Sequence, residues 1–298
     1  MQHLPLSGTF TALVTPLSAD GESLDLEALD ALVEAQLQGG VSGLVPCGTT
    51  GEAPTLTDDE QTAVIRRVVA ASKGRVPVVA GTGSFSTKKT IASSKAALAA
   101  GADAVMVVMP YYNKPSQDGM REHVLAIARA VSAPVVLYNI PGRSVVDLGT
   151  DMLARICDAA PNVVAIKDAT GNVLRCQETK ARLGDRMAVF SGDDGLTVPM
   201  MAVGACGVIS VTSNVRPQET AAVTSAMLAG DLVTARRLHL RLLELHGALF
   251  AEPNPTPAKA ALAMEGKMSD AVRLPLLPAG DSTRRRLAEA LARLAEAR

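Results

Sequence analysis

The sequence predicts an α/β protein, a (β/α)8 TIM barrel with a C-terminal helical extension, and three observations carry that expectation. Short β-rich runs alternate with helical stretches eight times. Most of the runs are apolar throughout, as suits parallel strands covered on both faces and left without a side for polar alternation. After the eighth run the pattern changes to helices alone.

The runs fall near residues 9–17, 43–47, 76–81, 104–109, 134–139, 163–168, 187–192 and 207–211, each ending in or near Gly, Pro, Asn or Asp. Between them, residues 25–38 have helical periodicity and run into Gly39-Gly40. Thr57-Asp58-Asp59-Glu60 has the form of a capping box ahead of Val64, Ile65 and Val68. Periodicity cannot reveal closure, so a doubly wound open sheet is the alternative architecture. The helices after the last strand lie near 217–228, 232–250, 257–264 and 282–295. Glu252-Pro253-Asn254-Pro255-Thr256-Pro257 reads as a rigid turn between two of them, since proline fixes φ and removes a backbone donor. The expected division is a barrel over 1–230 and an extension over 231–298.

Composition narrows the function classes. The 298 residues are 48% hydrophobic and 20% charged, ordinary for a globular protein with a large core. With 29 basic against 30 acidic residues, and no basic run interleaved with aromatics, neither nucleic acid nor an anionic membrane surface is an expected partner. The amino terminus lacks the cationic start and long apolar stretch of a secretory signal, so a cytoplasmic protein is expected. Cys47, Cys157, Cys176 and Cys206 are far apart, with no C-x-x-C pair, and are expected to be reduced, mostly buried thiols. His3, His123, His239 and His246 lie away from the predicted strand ends and in no ligand spacing, so no metal is expected and a metal-dependent aldolase is disfavoured.

Barrel enzymes hold their reacting groups at the carboxyl ends of strands. Here those ends deliver Gly48-Thr49-Thr50-Gly51-Glu52, Tyr111-Tyr112, Tyr138 followed by Arg143, Lys167, Ser191-Gly192-Asp193-Asp194, and Ile209-Ser210. Tyr138 and Lys167 each stand four positions after the start of their runs. With period-two alternation and neighbouring strands roughly 4.8 Å apart, both side chains can point inward at similar height. Desolvation among Val164, Ala165 and Ile166 disfavours a charged ammonium, which points to an amine nucleophile that attacks a 2-oxo acid. A surface pair of Lys167 with Asp168 is the plainer alternative. All three tyrosines of the chain lie at predicted strand ends, where a phenol can pass protons if a threonine hydroxyl, Thr49 or Thr50, links it to the reacting centre. The two glycines around the doubled threonine let backbone amides approach a carboxylate, and the Arg143 fork suits a second one.

In these motifs, and in Pro110-Tyr111-Tyr112-Asn113, Tyr138-Asn139-Ile140-Pro141-Gly142-Arg143, Ile166-Lys167-Asp168-Ala169-Thr170-Gly171 and Glu252-Pro253-Asn254-Pro255, the chain resembles the dihydrodipicolinate synthase and N-acetylneuraminate lyase family along essentially its whole length. The doubled threonine, Arg143 and Arg273-Leu274-Pro275-Leu276 look like the synthase branch. The resemblance implies condensation of pyruvate with aspartate 4-semialdehyde to 4-hydroxy-tetrahydrodipicolinate in lysine (diaminopimelate) biosynthesis, without a cofactor. It implies Lys167 as the Schiff-base lysine, Tyr138 as proton donor and acceptor, and Thr49 and Tyr112 as the rest of a relay. Thr50 and Ile209 would then contact pyruvate, Gly192 would line the site and Arg143 would hold the semialdehyde's carboxylate. It also implies a homotetramer of tight dimers, with Tyr112 reaching a neighbouring subunit. Another Schiff-base aldolase or dehydratase acting on a 2-keto-3-deoxy sugar acid is the nearest competitor, and a non-catalytic barrel the more distant one. Feedback-inhibited members bind lysine through a histidine, an asparagine and a glutamate where Asp58, Phe85 and Lys89 align here, so weak or absent lysine inhibition is expected.

Overall fold

Residues 6–296 are described by a computed structural model. The eight runs form eight parallel strands: β1 (Gly8–Ala12), β2 (Gly43–Val45), β3 (Val79–Gly81), β4 (Ala104–Val108), β5 (Val135–Asn139), β6 (Val163–Asp168), β7 (Ala188–Ser191) and β8 (Gly207–Ser210). Their order is β2-β1-β8-β7-β6-β5-β4-β3. The two edges meet where Leu44 bridges Val78, with Leu44 N donating to Pro77 O at 3.0 Å and Gly81 N to Pro46 O at 2.9 Å. That junction brings the sheet round into a barrel and excludes the doubly wound open sheet. The first run is shorter than expected. Beyond Ala12 the chain leaves the ladder, and Leu17 instead forms a local antiparallel bridge with Leu24.

Helices α1 (Leu26–Gln38), α2 (Asp58–Ser72), α3 (Thr87–Ala99), α4 (Gln117–Ala130), a single turn α5 (Pro141–Ser144), α6 (Thr150–Ala159), α7 (Val173–Leu183), α8 (Thr197–Ala202) and α9 (Pro217–Leu228) fill the crossovers and follow the last strand. The Thr57 hydroxyl accepts from Glu60 N and the Glu60 carboxylate accepts from Thr57 N, the reciprocal cap expected of α2. Beyond α9 come α10 (Leu232–Ala248), α11 (Thr256–Met264) and α12 (Asp281–Glu296), with α10 packed on α9 and α12 packed on both α10 and α11.

Side chains alternate along each strand, which creates two cores. In β4, Val105 and Val107 join Leu29, Val33, Val68 and Ile127 in the layer that includes the helices. Ala104 and Met106 instead face Phe10, Val45, Val79, Val136, Ala165 and Phe190 inside the barrel. Each such buried Val or Leu contributes on the order of 2 kcal/mol. Phe10 and Phe190 meet edge to face, 5.1 Å between ring centroids. Gly43 makes room for them, because a Cβ there would lie 2.1 Å from the Phe10 ring. On β1 the alternate positions are threonines, and buried partners satisfy them: Thr9 Oγ1 lies 2.8 Å from Thr224 Oγ1, and Thr11 Oγ1 donates to Gln36 Oε1 at 2.8 Å.

Strand β6 departs from simple alternation. Val135 pairs with Val163, yet Val136 pairs with Ala165, so Val164 is an extra residue in the ladder. Val163 and Ile166 belong to the outer layer, whereas Val164 and Ala165 both turn inward. From there Tyr138 pairs with Lys167. Without the bulge Tyr138 would oppose Ile166, and Lys167 would turn to the helices.

The segment between α11 and α12 is tied back to the barrel by Arg273. Its guanidinium donates to both carboxylate oxygens of Glu60, at 2.6 and 2.8 Å, and to the carbonyls of Gly21, Glu22 and Thr55. This hydrogen bonding from Arg273 holds the Glu60 carboxyl down at about 2, against an ordinary 4.5. The folded value lies below the unfolded one, so the stabilisation is complete above about pH 4.5 and is lost as pH falls towards 2. Denaturant unfolding across that acid range should show Arg273→Met less stable than the parent at neutral pH, with a pH-dependent part of about 2 kcal/mol after solvent screening. A gap between the two proteins that stayed constant down to the acid end would sink this account.

Candidate active site

The register of β5 and β6 sets Tyr138 beside Lys167. Both are buried, and Lys167 Nζ lies 4.3 Å from the centroid of the Tyr138 ring. Among the described residues no carboxylate pairs with Lys167. Asp168 points the other way, where one carboxylate oxygen accepts the Thr170 amide at 2.9 Å and the Thr170 hydroxyl at 2.6 Å. The amine therefore lies in the barrel interior against the Tyr138 ring, and the surface pair with Asp168 does not form.

Strand β2 ends in the turn that carries the two threonines. Gly48 O accepts from Gly51 N and Ala53 N, Thr49 O accepts from Glu52 N, and Thr15 Oγ1 donates to Gly51 O at 2.8 Å. Thr50 is 2% exposed, and its hydroxyl oxygen accepts from Asn254 Nδ2 at 2.9 Å. That acceptance leaves the Thr50 proton free to be given to a ligand. On the opposite side of β1, Ile209 pairs with Phe10 and belongs to the same inward cluster as Tyr138. Gly192 follows β7 and donates to Asp168 O at 2.7 Å; a Cβ there would stand 2.6 Å from the Ala169 methyl, so the close approach of these two loops requires glycine. Arg143 lies exposed on α5 with Nη2 3.4 Å from Asn254 O.

The two tyrosines after β4 part company. Tyr111 stacks edge to face on Phe85 with 5.5 Å between centroids, whereas Tyr112 takes a positive φ of 70° and is 88% exposed. Among the described residues, the hydroxyls of Thr49, Tyr112 and Tyr138 make no hydrogen bonds to one another. The chain by itself thus sets Lys167 beside Tyr138, with Ile209 in the same inward cluster as Tyr138, holds Thr50 buried in the turn after β2 and leaves Tyr112 exposed. At the surface between α2 and α3, Asp58 and Lys89 pair with each other at 3.4 Å.

Two features escaped the sequence reading. Asn254 was part of a motif read as a turn, and it reaches Thr50 from the far end of the chain. Lys259 is fully buried and donates to Glu52 at 2.5 Å. Its one sequence signal was a lone charge among Ala258, Ala260, Ala261 and Leu262. The histidines also sit differently from expectation. His239 Nε2 contacts Gly195 O at 3.1 Å and His246 Nδ1 contacts Thr212 Oγ1 at 2.8 Å, so both rings lie against the loops that follow β7 and β8. His123 is buried against Thr87, and burial holds its imidazole down at about 4; His3 lies outside the described residues. Cys47 and Cys176 are buried while Cys157 and Cys206 are half-buried, and burial pushes all four thiols up, to between about 11 and about 12. Among the described residues no cluster of three His, Cys, Asp or Glu could hold a metal, and no helix is long and apolar enough to cross a membrane.

Known proteins resemble the chain from end to end. The 4-hydroxy-tetrahydrodipicolinate synthase of Sorangium cellulosum is 73% identical over 294 residues, covering 99% of this chain and 98% of its own. Among solved structures, the chloride-inhibited dihydrodipicolinate synthase of Acinetobacter baumannii in complex with pyruvate is 42% identical, with a TM-score of 0.95 over 97% of this chain and 99% of that one. A lysine-bound dihydrodipicolinate synthase from Cyanidioschyzon merolae is 35% identical, with a TM-score of 0.95 over 98% and 99%. The sequence profile of the dihydrodipicolinate synthetase family matches residues 5–294, and with an unpaired lysine and a phenol side by side in the barrel, the chain belongs to that family.

Proposed function

We infer that the chain is a lyase, a 4-hydroxy-tetrahydrodipicolinate synthase that joins pyruvate to aspartate 4-semialdehyde for lysine biosynthesis. The observation that carries the mechanism is the buried Lys167 amine without a carboxylate partner, set against Tyr138. Lys167 Nζ attacks the carbonyl carbon of pyruvate, water leaves, and the resulting iminium makes the adjacent methyl acidic. Loss of a methyl proton gives an enamine, whose carbon adds to the aldehyde of the second substrate. Release requires an amine to displace Lys167 from the iminium, and the semialdehyde carries one, which closes the ring of the product. No external cofactor enters this sequence.

The remaining residues take roles by position. Tyr138 gives and takes the protons, with Thr49 and Tyr112 extending the relay. Thr50 donates to the pyruvate carboxylate, Ile209 packs on its carbon skeleton and Gly192 lines the site. Arg143 receives the carboxylate of the semialdehyde, which distinguishes this substrate from a neutral sugar chain. The exposure and positive φ of Tyr112 support a relay completed in a second copy, within a homotetramer of tight dimers. On the extension, residues 231–298, α10–α12 brace the barrel.

Incubation with pyruvate and borohydride should leave a three-carbon acid on the peptide that holds Lys167, and Lys167→Met should show none. An adduct on any other peptide would overturn the assignment. Tyr112→Phe should lower turnover about a hundredfold while leaving the unfolding midpoint within a few degrees; equal loss of both would show that Tyr112 is structural. Asp58 and Lys89 pair with each other and Phe85 packs on Tyr111, so the residues aligned with the lysine-binding set of feedback-inhibited members differ from it in charge and shape. Steady-state assays should therefore find no lysine inhibition at micromolar concentration, and half-inhibition in that range would refute it.

A further inference from the structure

The loop that carries Thr49 and Thr50 is held from a distance of two hundred residues in the chain. Asn254 donates to Thr50, Lys259 donates to Glu52 at 2.5 Å, Arg273 N donates to the other Glu52 oxygen at 3.0 Å, and the Arg273 guanidinium reaches Thr55 O. The ammonium of Lys259 also donates to Ala271 O at 2.7 Å. Both side chains of the central pair are sealed, 0% exposed for Lys259 and 2% for Glu52. Glu52 directly follows Thr49-Thr50-Gly51 and adopts a left-handed backbone, φ 54° and ψ 31°, which costs a non-glycine residue on the order of 1 kcal/mol.

Stability alone explains this pair poorly. Taking two charges out of water is expensive, and apolar residues of similar volume in place of a buried pair are often as stable or more so. Burial does push the Lys259 ammonium down, with Glu52 opposing. What a charge pair supplies that methylenes do not is direction: one carboxylate, gripped at both oxygens, admits one rotation of the backbone that bears it.

We propose that Lys259 and Glu52 are positioning residues for pyruvate, fixing the turn so that the Thr50 hydroxyl and the neighbouring amides meet the substrate carboxylate. This rests on the function proposed above. The extension is then part of the substrate-binding apparatus through α11, although Lys259 touches no substrate. The effect is selective, because Arg143, which receives the second substrate, stands on α5 and bonds neither member of the pair.

The test is the double variant E52Q/K259M, which removes both charges at nearly constant volume and leaves no unpaired ion. Its unfolding midpoint should stay within a few degrees of the parent. Its KM for pyruvate should rise about tenfold while the KM for aspartate semialdehyde changes less than about twofold, a split that general loosening does not produce. A folded double variant with parental pyruvate KM, or with both KM values raised alike, overturns the proposal. Should the double variant not fold, E52D keeps the charge pair while shortening the arm that carries it and should raise pyruvate KM by a smaller factor; an unchanged KM there overturns it equally. Borohydride trapping of subsaturating pyruvate separates the two levels of argument. A parent enzyme that traps no pyruvate on Lys167 defeats the functional reading, whereas a parent that traps it, with variants trapping at the same rate, defeats the positioning role alone.

Discussion

One extra residue in a strand governs the chemistry of this barrel. Val164 breaks the alternation of β6, and only past that break do Tyr138 and Lys167 stand opposite each other with both side chains inward. The same shift sends Asp168 away from Lys167 to the Thr170 amide and hydroxyl. A register slip of one position would exchange them, placing a carboxylate at the reacting centre and a lysine among the apolar side chains of the outer layer. The bulge therefore sets Lys167 against a phenol ring rather than a carboxylate, as the proposed chemistry requires.

The rest of the barrel supports that geometry by being closed and full. Phe10 and Phe190 fill part of the interior, and Phe190 on β7 pairs directly with Lys167 on β6. At the strand carboxyl ends the groups come from separate strands, and the loops beside them are held by hydrogen bonds the protein itself completes. Thr50 is oriented by Asn254, the Gly192 loop is pinned to Asp168 O, and the turn after β2 is closed by three backbone bonds. Such preorganisation lets the donors meet a charged substrate without first rearranging.

Most of the architecture was legible in the sequence because burial on both faces leaves a strong mark: eight apolar runs in alternation with capped helices have few other solutions. The end of β1 was misread, since apolar residues such as Leu13, Val14 and Leu17 remain buried after the ladder stops and composition alone cannot tell the two situations apart. The pairing of Tyr138 with Lys167 was read correctly, but through two offsets that cancel. The predicted run starts at Pro134, one residue ahead of β5, and the predicted register has no place for the extra residue Val164. The contacts of Asn254 and Lys259 with the loop after β2 were invisible, because they span more than two hundred residues of chain and depend on where the extension returns to the barrel.

Comparison of two lysines shows why local sequence does not assign reactivity. Lys167 and Lys259 are both buried, and both follow apolar or small residues on a regular element. Their difference lies in their surroundings. Lys259 donates to a carboxylate and a carbonyl, so its ammonium is engaged and its lone pair withheld. Lys167 has the face of a phenol ring beside it and, among the described residues, no carboxylate partner. An acid beside Lys167 would stabilise the ion and remove the nucleophile. The removal of Glu52 from Lys259 would strand a charge without giving it a substrate to attack, since that side chain is closed off from solvent and from the barrel mouth. Under the proposed function, a buried lysine serves as the reagent where the fold denies it a carboxylate, and Lys167, beside Tyr138, is so placed among the described residues.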